Sequence, residues 1–473
     1  MKKFTKIVAT ISDRKCDQEF LKELFEEGVN VVRLNTAHQG RPEALKVVNN
    51  VRAVSDKIAL LVDTKGPEVR TKAIEEDMPV KTGDILFLTG DDEIESRKDL
   101  FKVNYADLCN DLSLEDRILI DDGDIELVVI EKSNSELKLE VLNDGIIKNN
   151  KSVNIPGVSI SLPALSDKDR DFIVFAIENE IDFIAHSFVR KKEDVKEVQD
   201  ILDEHNSPIK IIAKIENQEG VDNIDEILDN VYGIMVARGD LAIEIPAERI
   251  PVIQKRIVNK CIESKKPVII ATQMLHSMIE HPRPTRAEVT DIANAVYNRT
   301  DAIMLSGETA YGKYPIEAVQ TMVKVALEIE KEHVANEEQN LVRINNEVTA
   351  ILARAAVHAC KRLPVSAIIT DTLTGRTARY VSAFRGNIPV HARCYKKYVM
   401  RELALSYGVD PDFVEKKESR DEFVKESLDS MLKKRYVTPQ DNVLIIGGSF
   451  GRSQGATFME ISKVGLFTEK KLD

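Results

Sequence analysis

The sequence predicts an α/β protein built on a (β/α)8 barrel, with a small β domain inserted after the third strand and a C-terminal α/β domain. Three observations predict it. Short, β-branched, nearly apolar runs recur eight times before residue 310. Segments with helical apolar spacing separate most of them. The gap after the third run holds short alternating strands and turns instead.

In order, the runs are KIVATI from residue 6, VNVVRLN from 29, IALLVDT from 58, DFIAHSF from 182, IKIIAKI from 209, YGIMVAR from 232, PVIIATQ from 267 and DAIMLS from 301. Near-continuous apolar strands suit parallel strands buried on both faces. DQEFLKELFEEG closes on Gly28, the residue type expected just past a helix end. YPIEAVQTMVKVALEIEKE, after the eighth run, spaces its apolar residues three and four apart. A doubly wound sheet accounts for the alternation too; the count of eight favours the barrel.

From about residue 70 to 162 the runs are GDILFLTG, RILIDDGDIEL, ELKLEVLNDG and KSVNIPG. Asp122-Gly123 and Asp144-Gly145 mark hairpins. Pro67 and Pro163 stand at the two crossings and suit a pair of hinges. An insertion leaving the C-terminal end of a barrel strand overhangs the face where such barrels carry their sites, so a β-barrel lid is expected. Beyond the eighth unit come the polar HVANEEQN, the amphipathic NEVTAILARAAVHACKRL, and the runs VSAIIT, IPVHA, NVLIIGG and ISKVGLF. The expected division is a barrel of 1–69 and 163–339, a lid of 70–162, and a C-terminal domain of 340–473.

The composition narrows the function. The chain has 473 residues, 43% hydrophobic and 31% charged, and a net charge of -13 without a long basic run. That excludes a general nucleic-acid binder, which needs clustered cations, but not a small phosphorylated ligand. The five cysteines, Cys16, Cys109, Cys261, Cys360 and Cys394, form no C-x-x-C pair and read as buried free thiols. MKKFTKIVATIS has no sustained apolar core, and no run approaches a membrane span. A cytoplasmic protein is expected.

In such barrels the chemistry stands at the C-terminal strand ends. Here these offer Arg33, Asn35 and His38; Asp63, Lys65, Glu68 and Arg70; Ser187, Phe188 and Arg190; Lys214, Glu216 and Asn217; Arg238, Gly239 and Asp240; Thr272 and Gln273; Ser306 and Glu308. Glu216 and Asp240, on neighbouring strands, offer hard oxygen ligands for Mg2+. Lys214 and Arg33 supply positive charge for a phosphoryl group or an enolate. Gly239 lets backbone approach a ligand, with amides free to hold a carboxylate. For Lys214 and Glu216 the alternative is a barrel-mouth salt bridge. GETAYGKY lacks the hydroxyl of a P-loop, because Tyr314 follows Lys313. GGSFGRSQG is not a G-x-G-x-x-G fingerprint.

These residues spell longer motifs. VVRLN with His38, DTKGPEVR, SFVRK, AKIENQEG, GIMVARGDLAIEIPAE, VIIATQML with PRPTRAEVTDIANAV, and DAIMLSGETAYGKYP closely resemble the pyruvate kinase family. The resemblance implies a TIM barrel, a lid and a C-terminal domain. It implies phosphoryl transfer from phosphoenolpyruvate to ADP, giving pyruvate and ATP, the last step of glycolysis. By similarity Glu216 and Asp240 ligate Mg2+, for which Mn2+ substitutes. Lys214, Arg33 and Thr272 are catalytic; Arg33, Lys214, Gly239, Asp240 and Thr272 bind phosphoenolpyruvate. Asn35, His38, Arg70 and Lys151 stand near the nucleotide, and the assembly is a homotetramer. Two other readings stay open: another Mg2+-dependent barrel acting on phosphoenolpyruvate or pyruvate, such as an aldolase or lyase, and a non-catalytic metabolite sensor.

The sequence departs from the family pattern in places. The family's K+ site corresponds to Asn35, Ala37, Asp63 and Thr64, and Ala37 replaces a serine ligand. Glu68 is the acidic form that accompanies K+ dependence, so K+ use is expected. Ser12 and Asp13 replace a Gly-Pro pair beside the adenosine pocket, which leaves the nucleotide preference open. DTLTGRTAR, with Thr372, Thr374, Gly375, Arg376 and Thr377, resembles a loop that holds a sugar-phosphate effector in some relatives. The alternative is an ordinary helix N-terminus with Thr374 near the cap.

Overall fold

The computed structural model describes residues 3–332, 341–342, 344–417, 419–448 and 455–468. HVANEEQN and most of GGSFGRSQG lie outside the described residues. Eight parallel strands close a barrel: Lys6–Thr10, Val31–Asn35, Ala59–Asp63, Phe183–His186, Lys210–Ile215, Gly233–Ala237, Val268–Ala271 and Ala302–Leu305. The first pairs with the eighth in the register Lys6↔Ala302, which completes the ring. The helix Gln18–Glu27 starts on Asp17, whose side chain accepts the Phe20 amide, and ends on Gly28 at φ 118, a conformation that favours glycine.

Strand periodicity sorts the core into two shells. Val8, Val31, Leu61, Ala185, Ile212 and Met235 fill the barrel interior, while Ile7, Val32, Leu60, Ile184, Ala213 and Val236 pack outward on the helices. Ala404 and Leu405 of the C-terminal domain join the inner cluster and close the bottom of the barrel.

The insertion forms a barrel-like seven-stranded sheet around its own apolar core, with a two-stranded pair beside it. The Asp122-Gly123 turn joins Arg117–Ile120 to Ile125–Lys132 as an antiparallel hairpin. Asp144-Gly145 does not make a hairpin. Asp144 accepts the Thr82 amide and hydroxyl at 2.9 and 3.0 Å, which turns the chain away from Leu137–Val141. Gly145–Ile147 then pairs with Met78–Val80 instead.

The C-terminal sheet has five strands in the order Val409–Phe413, Val390–Cys394, Val365–Thr372, Asn442–Gly447 and Phe458–Lys463, the last antiparallel. Sequence reading missed Val409–Phe413, an edge strand in which Pro411 and two aspartates obscure the pattern. It also merged a strand with a helix: ISKVGLF turns helical at Val464.

Buried charge pairs join this domain to the barrel's lower rim. Asp301 meets Arg385 at 2.9 and 2.6 Å. Asp182 meets Arg401 at 2.5 Å and Arg52 at 2.9 Å. All five cysteines are buried and free. Among the described residues, no helix is long and apolar enough to cross a membrane.

Candidate active site

The same alternation that fills the barrel interior places charge on its top layer. Arg33 follows Val31 by two residues, Asp63 follows Leu61, Ser187 follows Ala185 and Lys214 follows Ile212. All four point into the mouth. Arg33 Nε lies 2.5 Å from Asp63, and its Nη1 donates to Thr10 Oγ1 at 2.9 Å. Lys214 Nζ lies 3.1 Å from Asp63 and 3.0 Å from Glu216, and donates to Ser187 Oγ at 2.7 Å. The salt bridge left open by the sequence is therefore present, and it is part of a larger cluster.

Burial makes this cluster energetically unusual. Alone it would lower the pKa of the Lys214 ammonium, but Asp63 and Glu216 outweigh it and raise the pKa, so the lysine stays charged. Burial alone would raise the Asp63 carboxyl, yet Arg33 and Lys214 hold it below the usual range. Burial pushes Glu216 up to about 8, and Asp240 adds to the rise against Lys214. The Phe188 amide donates to Glu216 Oε2 at 2.7 Å. Glu216 Oε1 is buried and accepts no hydrogen bond; it meets only the Lys214 charge. The Asp240 charge thus adds to the cost of ionising Glu216, and a cation bound beside Glu216 would relieve it.

Asp240 stands in the first turn of the helix Arg238–Glu244, directly after the sixth strand. The Gly239 amide is not free to hold a carboxylate. It donates to Thr272 Oγ1 at 2.8 Å, and that hydroxyl donates to Ala271 O at 2.7 Å. Thr272 and Gln273 both have positive φ, 68° and 56°, strained for side-chain-bearing residues and typical of functional turns. Arg238 holds this turn by donating to Thr272 O at 2.6 Å. Sequence reading noted Ser187 without giving it a role. Its hydroxyl donates to Thr64 O at 2.7 Å and receives Lys214.

A cleft of about 930 Å³ opens between barrel mouth and lid, walled by Glu216, Asp240, Arg70, Lys151 and Glu244 among others. Arg70 pairs with Glu68 at 2.7 Å, and Lys151 with Asp121 at 2.7 Å. Asn35 and Asp63 are register partners, which brings them together beside Thr64. Asn35 Oδ1 accepts the Ala37 amide at 3.1 Å. Ala37 and His38 are exposed and do not wall the cleft. Among the described residues, no three His, Cys, Asp or Glu side chains gather for a metal.

The loop from Thr372 to Thr377 lies elsewhere, at the seam between the C-terminal domain and the barrel's lower face. Gly375, at φ 74, is the helix N-cap, and its amide donates to Thr372 Oγ1 at 2.8 Å. Thr372 and Thr377 are buried, while Thr374 is exposed beside Arg376.

Fold and ring together define a barrel enzyme whose site opens beneath an inserted β domain. Residues 2–319 match the family described as "Pyruvate kinase, barrel domain", and residues 350–462 match "Pyruvate kinase, alpha/beta domain". The chain belongs to the pyruvate kinase family. It is 49% identical to a pyruvate kinase of Borreliella burgdorferi over 98% of both chains. It is 43% identical to that of Geobacillus stearothermophilus, over 95% of this chain and 78% of that one. A crystal structure of a pyruvate kinase from Cryptosporidium parvum superposes with a TM-score of 0.92 at 34% identity, covering 98% and 96% of the two chains.

Proposed function

We propose that this protein transfers the phosphoryl group of phosphoenolpyruvate to ADP. The observation that carries the reading is the buried cluster of Lys214, Asp63 and Glu216, whose Glu216 walls one cleft with Asp240. Lys214 and Arg33 are the charges that meet the transferring phosphoryl group and the enolate oxygen. Both are held in place before substrate arrives, so little reorganisation is needed as charge moves. Gly239 leaves room for a ligand: a Cβ there would meet Thr272 only at ordinary contact distance. The Thr272 hydroxyl stands beside it, near the carbon that takes up a proton, which a water chain can deliver.

Glu216 and Asp240 would hold Mg2+, or Mn2+ in its place. When bound, the ion neutralises phosphoryl and enolate oxygens. The buried, hydrogen-bond-free Oε1 of Glu216 fits that use. Asn35, Asp63 and the Thr64 carbonyl would take K+, with water in place of the missing hydroxyl at Ala37. Asn35, His38, Arg70 and Lys151 would approach the nucleotide. The lid, residues 70–162, would close on it about Pro67 and Pro163 and exclude water. A sugar phosphate at Thr372–Thr377, a homotetramer and a cytoplasmic location complete the reading.

The test is pyruvate formation from phosphoenolpyruvate and ADP with Mg2+, repeated on Lys214→Met. No turnover in the parent protein rejects the proposal.

A further inference from the structure

The loop Ser187–Arg190, just after the fourth barrel strand, touches both crossings to the lid and both central charges of the site. On the outgoing crossing it meets Gly66. A Cβ there would come within 2.7 Å of the Phe188 ring and 2.9 Å of Ser187 Cβ. Asp169 Oδ1 accepts the Lys65 and Gly66 amides at 2.8 and 3.3 Å, which fixes that leg to the barrel. Three residues on, Val69 already belongs to the lid core.

On the return crossing, Ile160 and Leu162 pack against the lid core, and the Ser161 amide donates to Asp111 of the lid at 3.1 Å. Leu165 belongs to the barrel core. The change of body falls between Leu162 and Leu165, at Pro163. Arg190 grips the chain just before that point. Its Nη1 donates to Ile160 O at 2.7 Å and its Nη2 to Leu162 O at 3.0 Å. Nε and Nη2 also donate to the two oxygens of Asp194, each at 3.1 Å, so the fork cannot swing. The Arg190 carbonyl accepts from Asn223 at 3.0 Å.

The loop's other end reaches the chemistry, where the Phe188 amide holds Glu216 and the Ser187 hydroxyl receives Lys214, at 2.7 Å each. Phe188 has φ 54°, a strained value that fixes where its amide points.

We propose that Arg190 is a positioning residue: it pins the lid's return pivot to the loop that aims Glu216 and Lys214, so that the lid closes in register with the catalytic charges. The proposal rests on the lid reading above. Carbonyls next to a pivot move little when a body turns about it, so the two bonds can persist through closure. A planar fork serves four hydrogen bonds to three groups in one orientation, which a lysine ammonium does not reproduce.

The experiment compares the parent, Arg190→Met and Asp194→Asn, each as the full chain. Asp194→Asn keeps the guanidinium but frees its orientation, and stands in if Arg190→Met does not fold. The readouts are kcat and KM for phosphoenolpyruvate and ADP, melting temperature, and small-angle scattering with and without Mg2+, ADP and oxalate. The expected result for Arg190→Met is kcat lower by about 100-fold, as for a misplacement of order 1 Å. KM for phosphoenolpyruvate should stay within about threefold of the parent's, because Arg190 bonds to Ile160, Leu162, Asp194 and Asn223 and reaches the groups that would bind substrate only through the loop, and compaction on ligand binding should be lost. Asp194→Asn should fall between. A folded Arg190→Met with parental kcat and parental compaction overturns the proposal and leaves Arg190 a structural residue. A parent that shows no compaction overturns the lid reading, and this proposal with it.

Discussion

Lys214 Nζ stands between two buried carboxylates, 3.1 Å from Asp63 and 3.0 Å from Glu216; Asp63 and Lys214 come from two strands separated in sequence by the entire inserted domain, and Glu216 follows the second strand directly. The ion pair and the catalytic role are therefore not alternatives. The carboxylates keep the lysine charged inside the protein, and a charged lysine is what the proposed reaction would use. Lys214→Met should lower kcat by about 10²–10³-fold or more, the range seen when a preorganised charge is removed. Lys214→Arg should not restore it, since a planar fork cannot occupy the point between Asp63, Glu216 and Ser187. Pyruvate formation under saturating substrate measures both.

The K+ reading hinges on Ala37. Turnover at matched ionic strength should rise with K+ over a tetramethylammonium control. Ala37→Ser should lower the K+ concentration needed for half-activation by several-fold, because it restores an oxygen to the set of Asn35, Asp63 and Thr64. Equal rates with and without K+ would remove K+ from the reaction.

Thr272 is tested by separating its hydroxyl from its shape. Thr272→Ser keeps the oxygen that receives the Gly239 amide at 2.8 Å and should hold kcat near the parent value. Thr272→Ala leaves that amide without its partner and should lower kcat by about 100-fold, as for loss of a group that organises proton delivery. Similar kinetics in both variants would show that the hydroxyl is idle.

His186 offers a pH-linked prediction. It is fully buried beside Asp194 and Asp169, and burial lowers it from 6.5 to about 4. The neighbouring Asp194 and Asp169 favour the charged ring, but burial outweighs them. Below pH 6.5 the unfolded chain gains a proton that the folded protein refuses until near pH 4. Stability from this group is therefore intact above pH 6.5 and falls as pH drops toward 4, by up to about 1.4 kcal/mol per pH unit. His186→Gln should flatten that stretch of the profile. Urea midpoints at pH 7 and pH 5 decide it, and equal slopes in parent and variant would refute it.

Arg385 and Asp301 form a bidentate pair across the seam of barrel and C-terminal domain, with both side chains under 5% exposed. Asp301 also accepts the Tyr407 amide at 2.9 Å. Arg385→Ala should cost about 3–5 kcal/mol, because it strands a buried charge. Asp301→Asn combined with Arg385→Met should cost less than the single change. Unfolding monitored by circular dichroism would show whether the double variant recovers.

Much of the fold was legible because it is written in local periodicity. Eight apolar runs with helical spacers specify parallel strands wrapped by helices, and alternation along a strand decides which residue at its end faces inward. Arg33, Asp63, Lys214 and Glu216 could be picked out for that reason, as residue types set against the apolar pattern. Asp144-Gly145 failed because a turn dipeptide states a bend and not which strand follows it into register. Val409–Phe413 failed because an edge strand tolerates the proline and charges that argue against a strand.

By itself, then, the sequence determined the kinds of element, their order, and the charged crown of the barrel, since each depends on residues a few positions apart. The tertiary structure alone decided that Lys214 shares two carboxylates, that the Gly239 amide is spent on Thr272, that Asp301 anchors Arg385, and that Arg190 grips the lid's return crossing. Those contacts join residues from separate strands, loops and domains. They exist only once the ring closes and one register brings their ends within hydrogen-bond reach.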